Sequence, residues 1–162
     1  MPSVSTMRTL RTLLLALAVL LVGSGAGSAQ QSDAEQVKAA ALAVLQAAIG
    51  SLDMAKMEPL WVHDANIMLI NPRSKEVAIG WDQAKKNWQA VFDSWSELKV
   101  TTKDGPHISV NGNVAWATTI ANVVGKMKSG ATADSPTFES DVLEKRDGRW
   151  LLVSHSAWRV PQ

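Results

Sequence analysis

Apolar residues in this chain recur with two periods, and the change from one to the other divides it. From Val37, the positions Ala40, Ala41, Val44, Leu45, Ala48 and Ile49 keep the i, i+3, i+4, i+7 spacing of one helix face. Ser32-Asp33-Ala34-Glu35 ahead of them has the form of a capped start with an acid in the first turn, and Gly50-Ser51 closes the segment. Asp53 to Leu60 predicts a short second helix, with Pro59 near its end. Strands are predicted at about 65–70, ended by Asn71-Pro72, and at 77–79. The clearest helix carries Trp81, Ala84, Trp88, Val91 and Trp95 on one face and Lys85, Lys86, Gln89 and Asp93 on the other. After Trp95 the period falls to two, predicting strands at about 97–102, 107–110, 114–126, 137–146 and 150–159. Residues 129–136 are mostly small and read as a mobile loop.

Two hairpin turns organise the strands. Asn111-Gly112 and Asp147-Gly148 are pairs that tolerate the positive φ of a two-residue turn. The turn at 147–148 sets Lys145 opposite Trp150, Leu143 opposite Leu152, Asp141 opposite Ser154 and Glu139 opposite Ser156. Trp158 extends that face. Asp141 then sits on a face bounded by Leu143, Leu152, Trp150 and Trp158, which predicts a pocket beside it. The same register sends His155 to the other face, so a His155–Asp141 dyad is not expected. The turn at 111–112 pairs His107 with Trp116.

The order of elements predicts an α+β fold, a curved antiparallel sheet with helices packed on one face. Composition then removes the first 29 residues from it. Arg8 and Arg11 precede an apolar run from Leu13 to Val22 and a small-residue stretch ending at Ala29. That is the pattern of a secretory leader cleaved after Ala29, and the run is too short for the ~20 residues of a membrane span. The expectation is an exported protein, periplasmic or secreted, with a single domain over residues 30–162. Because the leader holds two arginines and no acid, the remainder carries 14 basic and 15 acidic side chains. Such a balance gives no footprint for nucleic acid, and no membrane contact is expected once the leader is gone. The chain has no cysteine, so packing rather than disulfides must hold the exported domain.

The helix and strand order, and the ending from Asp141 through Glu144-Lys145-Arg146-Asp147-Gly148-Arg149-Trp150 to Trp158, resemble the NTF2-like superfamily. Within it, the chain resembles the SnoaL-like and ketosteroid-isomerase-like branch. The resemblance implies a cone-shaped fold with three helices from the N-terminal half on the concave face of the sheet. It also implies an apolar pocket and a homodimer, in a family that holds both enzymes and binders. Asp141 falls where the oxyanion carboxyl of a ketosteroid isomerase is expected, and Asn71, before Pro72, falls near its base. An amide cannot accept that proton, and the chain has no tyrosine to complete an oxyanion pair. Steroid isomerisation by that mechanism is therefore not expected.

The expected ligand is a small hydrophobic molecule, contacted by Trp61, Trp88, Trp116, Ser154, Ser156 and Trp158. The enzymatic alternative is an isomerase, lyase or cyclase with Asp141 as buried acid and Asn71 as an orienting donor. A dimeric interaction module using the sheet's outer face is a third reading. His63, His107 and His155 have neither metal spacing nor cysteine partners, and no phosphate-binding glycine loop occurs, so no metal and no cofactor are expected.

Overall fold

A computed structural model describes residues 31–161, and the expected leader lies outside that range. Helix α1 (Asp33–Leu42) opens on the predicted cap, which is a full capping box: Ser32 accepts from the Glu35 amide and Glu35 reaches back to Ser32. It continues as a π-helical segment, Ala43–Ile49. Helix α2 (Met54–Met57) is capped by Asp53 and runs into a 3₁₀ turn, Glu58–Leu60. Helix α3 (Trp81–Ser94) buries Ala84, Trp88 and Phe92, so its inner face includes Phe92, which the tryptophan stripe omitted. Among the described residues no helix is long and apolar enough to cross a membrane.

Six strands form one sheet: β1 (Met68–Ile70), β2 (Ala78–Ile79), β3 (Trp95–Asn111), β4 (Val114–Met127), β5 (Thr132–Arg146) and β6 (Arg149–Arg159), in the order β2-β1-β6-β5-β4-β3. The sheet is mixed, because β1 runs parallel to β6. The two strands expected at 97–102 and 107–110 are one strand, β3, which absorbs Gly105-Pro106 through irregularities in its pairing with β4. The loop expected at 129–136 is shorter than that, since β5 starts at Thr132 and pairs with β4 from there. The sheet curls strongly. Arg73, just past β1, reaches Met127 and Trp95 at the β3–β4 end, although two strands separate β1 from β4 and three separate it from β3.

Asp147-Gly148 forms the predicted turn, with φ of 50° and 77°, the double positive φ of a type I′ hairpin. The first hairpin is displaced by one residue. Asn111 pairs with Val114, so the turn is Gly112-Asn113, and His107 faces Thr118 rather than Trp116. Alanines at 115, 117 and 121 line the inner face of β4. Their short side chains leave the space that α1, the π-helical segment and α3 fill. The main core joins Val37, Val44, Met57, Trp61, Leu69, Trp88, Phe92, Leu143 and Leu152.

Candidate functional site

The last hairpin departs from the predicted register at one point. Lys145 faces Trp150 and Leu143 faces Leu152, as expected, but Val142 then faces Ser154. Val153 is the extra residue of a β-bulge, which reverses the facing of everything beyond it. Asp141 therefore faces His155, not Ser154, and Glu139 faces Ala157, not Ser156. The dyad that strict alternation excludes is present: His155 Nδ1 lies 2.7 Å from Asp141 Oδ1.

Inner-face rows across the sheet then carry the site. One row runs Ala117, Asp141, His155, Leu69, and the next runs Thr119, Glu139, Ala157. Glu139 Oε2 lies 3.4 Å from His155 Nε2, and the Thr137 hydroxyl donates to Glu139 Oε1 at 2.5 Å. Above them the Trp88 ring of α3 sits 5.4 Å from the imidazole, centroid to centroid. Asp141 is fully buried, and Glu139 and His155 nearly so. Five polar atoms in this patch find no protein hydrogen-bond partner: Trp88 Nε1, Thr119 Oγ1, Glu139 Oε2, Asp141 Oδ2 and His155 Nε2. Each such atom costs about 1–3 kcal/mol when buried alone.

Burial dominates the electrostatics without deciding every sign. For Glu139 it is the largest influence and raises the carboxyl pKa above its ordinary value, against the opposing pull of His155 and the Thr137 hydrogen bond. For His155 burial is again largest and pulls the pKa down. The hydrogen bond to Asp141 and the charges of Asp141 and Glu139 together outweigh it, and the imidazole is held above its ordinary value.

The other expected residues are distributed on both sides of the sheet. Trp88 is in the site. Trp61 is buried in the core, its indole N–H on Met57 Sδ at 3.3 Å and its ring 6.3 Å from Trp81. Asn71 is buried at the end of β1, where its amide donates to Asn87 Oδ1 at 2.7 Å. The bulge places Ser154, Ser156 and Trp158 on the outer face, where Trp116 also lies. Trp116 and Trp158 are 45% and 49% exposed, so neither lines the interior around Asp141. Open hollows of about 440 and 450 Å³ flank the Gly148 turn and the β3–β5 end, and Asp141 lines neither. Glu139, His155 and Thr137 are the site residues that the sequence reading missed. The available signal was a conflict of parity: alternation from Leu152 and alternation back from Ala157 cannot both hold without an extra residue in the Leu151-Leu152-Val153 run.

This helix-filled, strongly curled sheet defines the NTF2-like class. Similar solved structures include an NTF2-like superfamily protein from Salmonella enterica serovar Typhimurium, with TM-score 0.72, 20% identity, and coverage of 79% of this chain and 91% of that one. An NTF2-like family protein from Streptomyces avermitilis gives 0.71 at 20% identity, covering 80% and 98%. A ketosteroid isomerase-like protein from Erwinia carotovora atroseptica gives 0.68 at 18% identity, covering 82% and 100%. At these identities the likeness shows the fold. A comparison with curated protein sequences finds no match. The family model for the SnoaL-like domain matches residues 37–157, and the chain belongs to that family.

Proposed function

We propose that this chain is an exported domain that binds a small hydrophobic molecule, with Glu139, His155 and Asp141 as the polar floor of the site. The observation carrying this reading is the patch of buried polar atoms under α3 without protein hydrogen bonds. In a closed core such atoms need a partner, and a ligand's polar group supplies one while its apolar body takes the place of packing beneath α3. Because the cluster is sealed, the helices above it must part before a ligand enters, and association is slower than for a preformed pocket. Trp88 is the built-in reporter. Titrating chemically varied hydrophobic ligands into the protein is expected to change tryptophan fluorescence, with the response lost in Trp88→Phe. No response to any of them at high micromolar concentration refutes the reading.

Export rests on the leader pattern in residues 1–29, and N-terminal sequencing of the secreted or periplasmic protein tests it. A second copy is the proposed partner of the outer face, where Ile120, Phe138 and Trp158 form one row and Trp116 and Val142 another. Sedimentation velocity tests that assembly, and a monomer at high micromolar concentration overturns it.

The 2.7 Å contact between His155 and Asp141 favours a second reading, an isomerase, lyase or cyclase. Asp141 then orients the imidazole, and His155 moves the proton. Asp141→Asn is expected to retain the fold and lower turnover, and an unchanged rate rules this out.

A further inference from the structure

Glu139 and Asp141 put two carboxyl groups inside the domain, and among the described residues no lysine or arginine pairs with either. Their counter-ion is His155, 2.7 Å from Asp141 and 3.4 Å from Glu139. Even a fully protonated imidazole leaves the ionised group one negative charge in excess. A buried charge of that kind is neutralised, either by a proton or by a cation. Asp141 Oδ2 has no hydrogen-bond partner and Glu139 Oε2 has only the long contact to His155; both are acceptors when ionised, so the partner they lack is a donor. The surroundings suit an organic cation rather than a hydrated ion. Trp88 stands over the site, 5.4 Å from the imidazole, with Phe92 packed on it at 5.8 Å between ring centroids, and Ala117 and Ala157 flank the acids in the ladder. Carboxylates beside an indole face hold ammonium groups through charge-assisted hydrogen bonds and ring attraction.

Resting on the reading that this cluster is the ligand site, we propose that its ligand is a hydrophobic amine, bound as the ammonium ion with its N–H donors on Glu139 and Asp141. Without the amine, a proton on Glu139 meets the same deficit, and Thr137 holds that carboxyl in place. Binding is then an exchange. The ammonium ion enters with its own charge, Glu139 releases its proton to solvent, and the net charge of the interior is unchanged.

Benzylamine, benzyl alcohol and phenylacetate share a ring and differ in charge, so they separate the possibilities. The measurement is titration calorimetry of the full chain at pH 7, in buffers of unequal ionisation enthalpy, so that released protons are counted. Benzylamine is expected to bind about tenfold tighter than benzyl alcohol, and phenylacetate more weakly than either. Roughly one proton is expected to leave per amine bound. Glu139→Gln keeps the shape of the side chain and removes its charge. It is expected to weaken benzylamine about tenfold, leave benzyl alcohol within about twofold, and abolish the proton release.

Benzyl alcohol or phenylacetate binding as tightly as benzylamine overturns the amine assignment and leaves the binding site standing. Amine binding without proton release, or with full affinity in Glu139→Gln, overturns the exchange. Failure of all three compounds to bind the wild type overturns the amine proposal and the site together. Should Glu139→Gln lose its thermal transition, the ligand ranking and the proton count on the wild type decide alone.

Discussion

Replacing His155 by leucine removes the one cation that both interior carboxyl groups share. Leucine is apolar and close to imidazole in size, so little of the effect comes from an emptied volume. What remains is a pair of buried acids without a counter-ion. Removing one member of a buried ion pair costs about 3–5 kcal/mol, because the other is left charged and dry. Here the readiness of Glu139 to stay neutral moderates the loss, and we expect about 3 kcal/mol at pH 7. A domain of this size has roughly 5–15 kcal/mol in total, so the variant folds but is visibly weakened. Urea unfolding followed by tryptophan fluorescence is the assay. With a slope of about 1–3 kcal/mol per molar, the midpoint should fall by about 1–3 M. Repeating the pair at pH 5 separates charge from shape. Acid supplies the protons that the carboxyl groups need, so the gap between variant and wild type narrows, whereas a packing defect is indifferent to pH. A loss below about 1 kcal/mol at pH 7, or the same loss at both pH values, refutes the charge argument.

The wild-type domain should itself lose stability as pH rises. Glu139 and His155 both have folded pKa values above their ordinary ones of 4.5 and 6.5, so the folded state binds the extra protons. Stability is then fully present below those ordinary values and is lost as pH climbs through the raised ones. Urea midpoints measured from pH 4 to 9 check this, and a midpoint that rises across the range contradicts it. Thr137→Val removes the donor to Glu139 Oε1 while keeping the shape, with an expected cost of about 1–3 kcal/mol by urea titration; no change shows that the hydroxyl does not hold that carboxyl. Gly148→Ala puts a Cβ where φ is 77° with nothing within 4 Å of it. The penalty is backbone strain alone, about 1–2 kcal/mol, read as a lower melting temperature with an unchanged circular dichroism spectrum.

What could be read from the chain was local. The α3 stripe, the capped start at Ser32 and the type I′ turn at Asp147-Gly148 are each encoded within a few residues; the cap and the turn formed as predicted, while α3 stops at Ser94, leaves Trp95 to β3 and turns Phe92 inward. Asp141 was recognisable as an interior acid because it alternates with Leu143 on the same strand. Its partners were not recognisable, for reasons that are non-local. A bulge costs no local signal when it sits in Leu151-Leu152-Val153, since any of the three residues can be buried. Residues 132–136 read as a loop because small and polar residues carry little strand preference of their own. Their pairing is dictated by β4 alongside. Asn111-Gly112 was a reasonable turn pair, but with Asn111 opposite Val114 the positive φ that the turn needs falls at Gly112, its first central position.

The bulge at Val153 also bears on what the interior is for. With unbroken alternation, Asp141 would face Ser154, and a hydroxyl would satisfy the carboxylate with one neutral donor. One extra residue exchanges that serine for His155 and so adds a second ionisable group to the core, with Glu139 a third. Stability gives no reason for the exchange. Buried ionic groups replaced by apolar residues of similar volume are often neutral or stabilising, because desolvation consumes most of the Coulombic gain. This cluster is poorer than a well-made pair, since the His155–Glu139 contact is long at 3.4 Å and several of its atoms go unpartnered. Bulges commonly re-aim a side chain next to a functional site. Here the re-aimed side chain is the one group able to hold a charge between two acids, which sets the site apart from the alanine and leucine packing around it.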